Sequence, residues 1–410
     1  MTKMSTKALC AAVLFLLTSF LAPTLPAQQT HAHNSPARRI LSDSGVKGGL
    51  VVHLGCGDGR LTAALHAGDR YVVQGLDRDK KDVEHARAHI RSLGLYGPVS
   101  VEHWTARRLP YADNLVNLLV AEDASEVPAG EIMRVLAPNG VAYVKRDGEW
   151  TKRVKSWPDE IDEWTHYLHG PDNNAVAHDS RVGPPSALQW VENPLWLRSH
   201  ETESGLQGMI SAAGRIFYIL DEGPIGIVDN RLPCKWAIVA RDAFNGVQLW
   251  KRPLPDWGWR AFKKDQIAGK DLTVLRGRRL RFPQQLQRRM VASGDRLYVT
   301  LGYTAPVTVL DAATGEKIRT LKGTQGADEL IFIDGKLIIC VRHADAEARR
   351  RRGETVGERL MAVDPDTGEV LWDRGVSPVS TMCMAASDGR LVTCGKNGMI
   401  CRSLENGVAS

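Results

Sequence analysis

Gly49-Leu-Val-Val-His-Leu-Gly-Cys-Gly-Asp-Gly-Arg60 constrains this chain more than any other segment. Four of the five residues from Leu50 to Leu54 are apolar, the pattern of a buried strand. Three glycines follow at alternate positions, Gly55, Gly57 and Gly59, and a helical pattern opens at Leu61-Thr-Ala-Ala-Leu65. Strand, glycine turn and helix bring backbone N–H groups and a helix N-terminus against a nucleotide-like ligand. A Cβ in that turn would block both the tight bend and the close approach. The spacing is G-x-G-x-G, not the G-x-G-x-x-G of dinucleotide-binding folds.

A second strand pattern, Tyr71-Val-Val-Gln-Gly-Leu76, ends at Asp77, 18 residues after Gly59. An acidic side chain near this offset meets ribose hydroxyls in nucleotide-binding α/β folds. A carboxylate can accept from two vicinal hydroxyls at once. The residues alone leave Asp77 open between that role and a solvated acid at a strand end.

Further words follow in order. They are Leu109-Pro-Tyr-Ala-Asp-Asn114, the strand Leu115-Val-Asn-Leu-Leu-Val120, and Glu131-Ile-Met-Arg-Val-Leu-Ala-Pro-Asn-Gly140 leading into Val141-Ala-Tyr-Val144. With the glycine turn they resemble the class I S-adenosylmethionine-dependent methyltransferases over roughly residues 40–147. The resemblance implies an α/β Rossmann-like domain and S-adenosylmethionine as cofactor. It implies that Gly55, Gly57 and Gly59 line the cofactor's methionine end and that Asp77 holds its ribose. It places Thr105 where the family often has an acid contacting the adenine amine. Asn117 stands where the family usually has Asp, and Ala121-Glu-Asp-Ala124 replaces the acid-Pro-Pro-aromatic tetrad of amino-methylating DNA enzymes. In the family the Leu-Ala-Pro-Asn-Gly140 word ends a helix, with Pro and Gly making the turn into the fifth strand. Beyond Val144 comes the polar, turn-like Lys145-Arg-Asp-Gly-Glu-Trp150, so the two strands that usually follow are not expected and the domain reads as shortened.

Methyl transfer from a sulfonium is an in-line displacement. It asks the protein mainly for orientation, plus a base where the nucleophile carries a proton. Glu122 and Asp123, just past the fourth strand, are weak candidate bases, each more readily read as a solvated loop acid.

Residues 1–27 read as a secretory signal: Lys3 and Lys7, an apolar run from Ala8 to Leu21, and Leu25-Pro-Ala27 as a small-residue cleavage site. The run is short for a membrane span, and no later segment is apolar enough to be one. The chain is therefore expected to be exported, to the periplasm or cell envelope. Its 410 residues less these 27 leave 383, enough for two or three domains. Without Lys3 and Lys7 the formal charge falls from +6 to +4, too mild to imply a nucleic-acid partner. The Arg349–Arg352 run and the Arg276–Arg289 stretch lack interleaved aromatics and read as solvated loops. Six cysteines remain after Cys10, with no C-x-x-C or adjacent pair. That spacing supports neither a zinc ribbon nor a redox dithiol. Cys383 and Cys394 flank a hairpin pattern and are readable as a disulfide or as two buried thiols.

Composition shifts near residue 150: nine of the eleven Trp lie between Trp150 and Trp259, which marks a new segment. His166, His169, Asp172 and His178 are of metal-ligating type. Gly170 and Pro171 divide them and no helix or strand period gathers them, so no metal site is assigned. Residues 151–200 read instead as a Trp-rich linker with an opening strand. Trp164-x-x-Tyr167, Asn173-Asn174 and Ala187-Leu-Gln-Trp190 resemble the start of quinoprotein-like propellers.

The remainder, residues 201–410, repeats one pattern. Strand words begin at Gly214, Gly294, Gly335 and Gly389. The hairpin words Asp242-Ala-Phe-Asn-Gly246, Asp311-Ala-Ala-Thr-Gly315 and Asp364-Pro-Asp-Thr-Gly368 follow, with a degenerate Ser403-Leu-Glu-Asn-Gly407. Asp starts each turn and Gly takes its left-handed position. These words resemble the PQQ-like repeats of β-propellers, which occur in quinoprotein dehydrogenases and an outer-membrane assembly scaffold. The resemblance implies an all-β propeller of about four blades, incomplete at the end seen here, with another protein or chain completing it. The vicinal Cys pair of the quinoprotein dehydrogenases is absent, so PQQ is not expected. Three functions stay open: a methyltransferase with an unknown acceptor, an exported propeller scaffold carrying a vestigial methyltransferase domain, and a quinoprotein oxidoreductase.

Overall fold

The computed structural model describes residues 35–409 apart from 147, 185–186, 193–204, 224–234, 263–283, 343–351, 354–355, 381 and 397. The secretory segment 1–27, Cys10 and Cys234, Arg349–Arg351 and the 276–283 part of the basic stretch lie outside the described residues. No helix among the described residues is long and apolar enough to cross a membrane.

After helix α1 (Pro36–Ser44), the chain alternates strand and helix through β1 (Gly49–Leu54), α2 (Arg60–Leu65), β2 (Tyr71–Asp77), α3 (Lys80–Ser92) and β3 (Val99–His103). It continues with β4 (Val116–Ala121), α4 (Ala129–Val135), β5 (Leu136–Arg146) and β6 (Glu149–Val154). The sheet order is β3-β2-β1-β4-β5-β6, parallel except for β6, which runs antiparallel to β5. Strands β1, β2 and β4 are near-continuous apolar runs because helices or loops cover both faces. The order reverses at β1, so the glycine turn sits at the switch point where α/β sheets bind ligands.

Two expectations are corrected here. A strand does follow the fifth: β6 pairs with β5 from Arg146–Glu149 to Val141–Val154. Its residues are almost all exposed, as on an edge strand with one solvated face, so it carries no apolar run to announce it. The domain boundary expected at residue 150 therefore falls inside this hairpin. The Pro138-Asn139-Gly140 word does not make a free turn. It lies within β5 as an irregularity, with Asn139 at φ +63° and Gly140 pressed within 2.8 Å of Val116 O by the place its Cβ would take.

The propeller half holds four antiparallel sheets. The first is β7 (Leu206–Ala212), β8 (Arg215–Asp221), β9 (Trp236–Asp242) and β10 (Gln248–Pro253). The second is β11 (Met290–Ser293), β12 (Arg296–Thr300), β13 (Val307–Asp311) and β14 (Lys317–Thr320). The third is β15 (Ala327–Ile333), β16 (Lys336–Val341), β17 (Glu358–Val363) and β18 (Val370–Val376). The fourth has three strands, β19 (Ala385–Ser387), β20 (Arg390–Gly395) and β21 (Gly398–Ser403). Three apolar clusters are shared by successive sheets: Phe217 with Leu310, Tyr298 with Ile339, Ile338 with Leu391. Each sheet thus buries against the next what it cannot bury alone.

Every turn of the repeated pattern also receives a side chain from earlier in the chain, in three cases from the outer strand of the preceding sheet. Trp250 covers Gly315 and donates its indole N–H to Ala312 O at 2.9 Å. Trp372 covers Gly407 and donates to Leu404 O at 2.9 Å, and Trp190 covers Gly246 and donates to Ala243 O at 3.0 Å. At Gly368 the place belongs to Arg319, whose guanidinium donates to Asp366 O at 2.6 Å and to Thr367 O. Glycine is required at these turns twice over: each has φ between +70° and +80°, and at the three Trp-covered turns an indole lies within 2.7 Å of the missing Cβ.

Segment 164–171 forms no strand beyond an isolated His166–His169 bridge, so the opening strand expected there does not form. It crosses the inner strands of all four sheets instead. Ser211 and Ala292 donate backbone N–H groups to Trp164 O and Thr165 O at 2.7 and 3.0 Å. Phe332 donates to His166 Nε2 at 3.0 Å, and Ala386 to Pro171 O at 2.8 Å. Arg288 and Arg289 are not solvated as expected. Both are buried, paired with Glu329 at 2.9 Å and Asp328 at 2.6 Å. Cys383 and Cys394 are free, half-buried thiols.

Candidate functional site

The carboxyl ends of β1, β2 and β4 gather most of the residues singled out in the sequence. Gly55, Gly57 and Gly59 all have positive φ, +68°, +50° and +78°. A Cβ at Gly55 or Gly57 would meet nothing within 4 Å, so both open onto free space. Gly59 does another job: its missing Cβ would lie 2.8 Å from Ala86 Cβ, and it lets α2 start tight against α3. Its N–H donates to Cys56 O at 2.9 Å, closing the turn.

Asp77 faces the turn from the end of β2. Its Oδ2 accepts the Gly57 N–H at 2.8 Å and its Oδ1 accepts the Asp79 N–H at 3.0 Å. The carboxylate therefore fixes the turn and the start of α3. Beneath it, burial and the Asp77 charge push the Cys56 thiol up to about 12, so this cysteine is no thiolate nucleophile. Burial pulls His53 down to about 4; its Nδ1 shares a proton with Thr62 Oγ1 at 2.8 Å.

Thr105 is exposed on the loop after β3, and its carbonyl accepts from Arg78 Nη1 at 3.2 Å. Arg78 also lies over the Trp104 ring, 4.7 Å from its centroid, and pairs with Glu126 at 2.7 Å. It thus spans the ends of β2, β3 and β4, a position the sequence did not single out. Only its place directly after Asp77 could have suggested it.

The candidate bases are poorly disposed. Glu122 lies 4.0 Å from Lys145 Nζ on an exposed loop. The Ser125 backbone N–H, bonded to Asp123 Oδ1 at 2.8 Å, holds the Asp123 carboxyl below its ordinary range. A weakened base is a poor proton acceptor. The Leu109 and Glu131 words are tied together behind the site. Glu131 Oε1 accepts the Leu109 N–H at 2.7 Å, and Arg134 Nη1 donates to Tyr111 O at 2.9 Å. The two words are therefore one structural unit.

The opposite, amino-terminal edge of the sheet meets the propeller. Asn117 Nδ2 donates to Asp242 Oδ2 at 2.7 Å, and Asn117 Oδ1 accepts from Asn245 Nδ2 at 2.7 Å and from Leu50 N at 2.8 Å. Asn245 Nδ2 also donates to Leu115 O at 2.9 Å, and Lys47 pairs with Asp311 at 3.1 Å. Gly49, at φ +101°, would drive a Cβ to 2.0 Å from Asn117 Oδ1. With six residues in β1, the glycine turn lies about 20 Å from this interface, at roughly 3.3 Å per residue.

A family of methyltransferase domains matches residues 51–140, and the family described as outer membrane protein assembly factor BamB matches residues 235–401. The chain joins a methyltransferase domain to PQQ-like propeller repeats. Solved structures similar to it include a SAM-dependent methyltransferase from Aquifex aeolicus, 23% identical over 27% of this chain and 67% of that one, TM-score 0.25. Geranyl diphosphate C-methyltransferase from Streptomyces coelicolor A3(2) is 18% identical over 26% of this chain and 43% of its own, TM-score 0.25. The YcgJ protein of Bacillus subtilis is 20% identical over 26% and 48%, TM-score 0.24. The chain spans about half the length of the first structures it matches (55% and 48%). No curated protein matches it significantly.

The histidine group does not converge on a metal. His169 Nε2 bonds Asp162 Oδ2 at 2.6 Å, while His166 turns to Thr165 and Phe332. No cluster of three or more such ligands occurs among the described residues.

Proposed function

We propose that the α/β domain binds S-adenosylmethionine and transfers its methyl group to an acceptor arriving from solvent. The observation that carries this reading is the open cradle over Gly55 and Gly57 with Asp77 at its rim. Gly55 and Gly57 would admit the methionine end against bare backbone. Asp77 would accept from the ribose, and Arg78 and Thr105 stand beside the base. When bound, the cofactor supplies an electrophilic methyl on a sulfonium. This chain's residues bind and orient; with Glu122 on an exposed loop beside Lys145 and the Asp123 carboxyl held below its ordinary range, the reading favours an acceptor that needs no proton removed. The described contacts between this domain and the propeller lie at the opposite edge of the sheet, which supports an acceptor reaching the site from solvent.

The test is titration calorimetry of the full chain with S-adenosylmethionine and with its demethylated product. Binding that is lost in Gly57→Val and Asp77→Ala is expected; no heat at millimolar ligand would end the proposal.

The poor disposition of Glu122 and Asp123 favours one second reading, an exported propeller scaffold whose methyltransferase domain binds without turning over. Binding with no methyl transfer to any envelope extract would select it. The apolar run and cleavage site before Gln28 support export. Cell fractionation checks this: a chain cut after Ala27 and found in the envelope is expected, and full-length chain in the cytoplasm would refute it.

A further inference from the structure

The inner hairpin of the fourth sheet sets two cysteines against each other. Strand β19 pairs with β20 as Ala385 with Val392, Ala386 with Leu391 and Ser387 with Arg390. Met384, one residue before β19, keeps the alternation, since it is buried in the same cluster as Ala386 and Leu391. Carrying the register on places Met384 across from Thr393 and Cys383 across from Cys394, with both cysteines on the face turned away from that cluster. Directly opposed residues of an antiparallel pair have Cα atoms about 4.5–5.5 Å apart, inside the roughly 4.4–6.8 Å that a disulfide spans. Burial, together with the Cys394 thiol beside it, pushes the Cys383 thiol up.

The segment that carries Cys383 is held at this end of β20. The Ser380 N–H donates to Cys394 O at 2.7 Å, and Val379 bridges Gly395. Met382 O accepts from Arg288 Nη2 and from Asn173 Nδ2, each at 3.4 Å, and the Met384 N–H donates to Glu329 Oε1 at 3.3 Å. Both chain neighbours of Cys383 are thus tied to the buried Arg288–Glu329 pair, which keeps its thiol from swinging away.

We infer that Cys383 and Cys394 are a disulfide-forming pair that closes the β19–β20 hairpin at its open end. The co-reactant is a disulfide oxidant, small or protein-borne. One cysteine thiolate attacks a sulfur of that disulfide and expels a thiol. The other then attacks the cysteine sulfur of the mixed disulfide and expels the second thiol. The two cysteine sulfurs together lose two electrons and two protons, and the oxidant takes up both as two thiols. Fixing the chain at Met382 and Met384 favours this ring closure over a lasting mixed disulfide, because the second thiol is already in place. Neither cofactor binding nor export is needed to form the bond; an oxidising compartment only preserves it.

The test incubates the folded full chain with oxidised and reduced glutathione, alkylates the remaining thiols and maps the peptides by mass spectrometry. Loss of two alkylatable thiols is expected, with one linked peptide joining Cys383 to Cys394 that dithiothreitol separates. The same link should form in Cys401→Ser, whose altered residue faces Val392 from β21. Cys383 and Cys394 both alkylated in the parent chain overturn the inference. So does glutathione retained on either cysteine, or a Cys394–Cys401 link in place of the expected one.

Discussion

Asn117 donates to Asp242 across 2.7 Å, and this pair joins the α/β sheet to the first propeller turn. Asp242 also starts that turn, accepting the Phe244 and Asn245 N–H groups, so one carboxylate serves turn and interface together. An amide at residue 117 is what the pairing needs, since it can donate to Asp242 and accept from Leu50 and Asn245 at once. Asn117→Asp would set two carboxylates against each other at a buried contact. We expect a loss of about 1–3 kcal/mol and a lower melting temperature, with S-adenosylmethionine affinity unchanged. Calorimetric melting decides it; an unshifted transition would show that the contact contributes nothing.

Asp77 binds the Gly57 N–H beside the glycine turn. Asp77→Asn keeps an acceptor for that N–H and removes the charge. Affinity for S-adenosylmethionine should fall about tenfold or more, since a charge-assisted hydrogen bond contributes about 1.5–3 kcal/mol. The amide nitrogen would face the Asp79 N–H that Oδ1 accepts, so stability should also fall, by about 1–3 kcal/mol. Equal affinity in variant and parent, measured by titration calorimetry, would remove Asp77 from the site.

Gly57 and Gly59 separate binding from folding. Gly59→Ala adds a Cβ 2.8 Å from Ala86 at φ +78°, and a loss of roughly 2–4 kcal/mol is expected. Gly57→Ala adds a Cβ to open space at φ +50°, costing about 1 kcal/mol of backbone strain. Urea unfolding of both variants checks the order; a larger loss at Gly57 would contradict it.

His166 gives the chain an acid-sensitive point. Burial, with the Arg288 charge, pulls its imidazole down to about 3. Its Nε2 accepts the Phe332 N–H and must stay unprotonated to do so. An unfolded histidine titrates near 6.5, so between about 6.5 and about 3 the unfolded chain binds a proton that the folded chain refuses. This contribution is complete above pH ~6.5 and is lost as pH falls, at up to about 1.4 kcal/mol per unit. His166→Gln should flatten the decline of the urea midpoint between pH 7 and pH 5. An identical slope in the variant would assign the decline elsewhere.

Trp250 packs near Phe217 and seals the first sheet to the second. Trp250→Ala should cost about 3–5 kcal/mol, through lost burial and the unpaired Ala312 carbonyl. Arg319→Ala, at the half-buried counterpart, should cost less. Chemical denaturation compares them, and equal losses would mean that the indole adds nothing specific.

The strands and turns that announce themselves locally were legible in the sequence. The buried runs of β1, β2 and β4 and the glycine turn are each dictated within a few residues. The Asp-x-x-x-Gly hairpins are equally local, because turn dihedrals and apolar runs need no distant partner. Edge strand β6 was not legible, because one solvated face leaves it polar. Nor was the segment at His166, whose partners Ser211, Ala292, Phe332 and Ala386 come from four separate sheets. Arg288 and Arg289 looked solvated because their compensating Glu329 and Asp328 lie about 40 residues on.

The sequence by itself therefore determined the two fold types and the glycine turn with Asp77 behind it. Only the tertiary structure decided which edge of the α/β sheet the propeller takes. Asn117 looked like a departure from a cofactor-site pattern, but its side chain is spent at the opposite end of the sheet. The reason is physical: strand direction puts the glycine turn and Asp77 at one edge. Asn117 lies one residue inside the other, where its three hydrogen bonds are satisfied only by Leu50, Asp242 and Asn245.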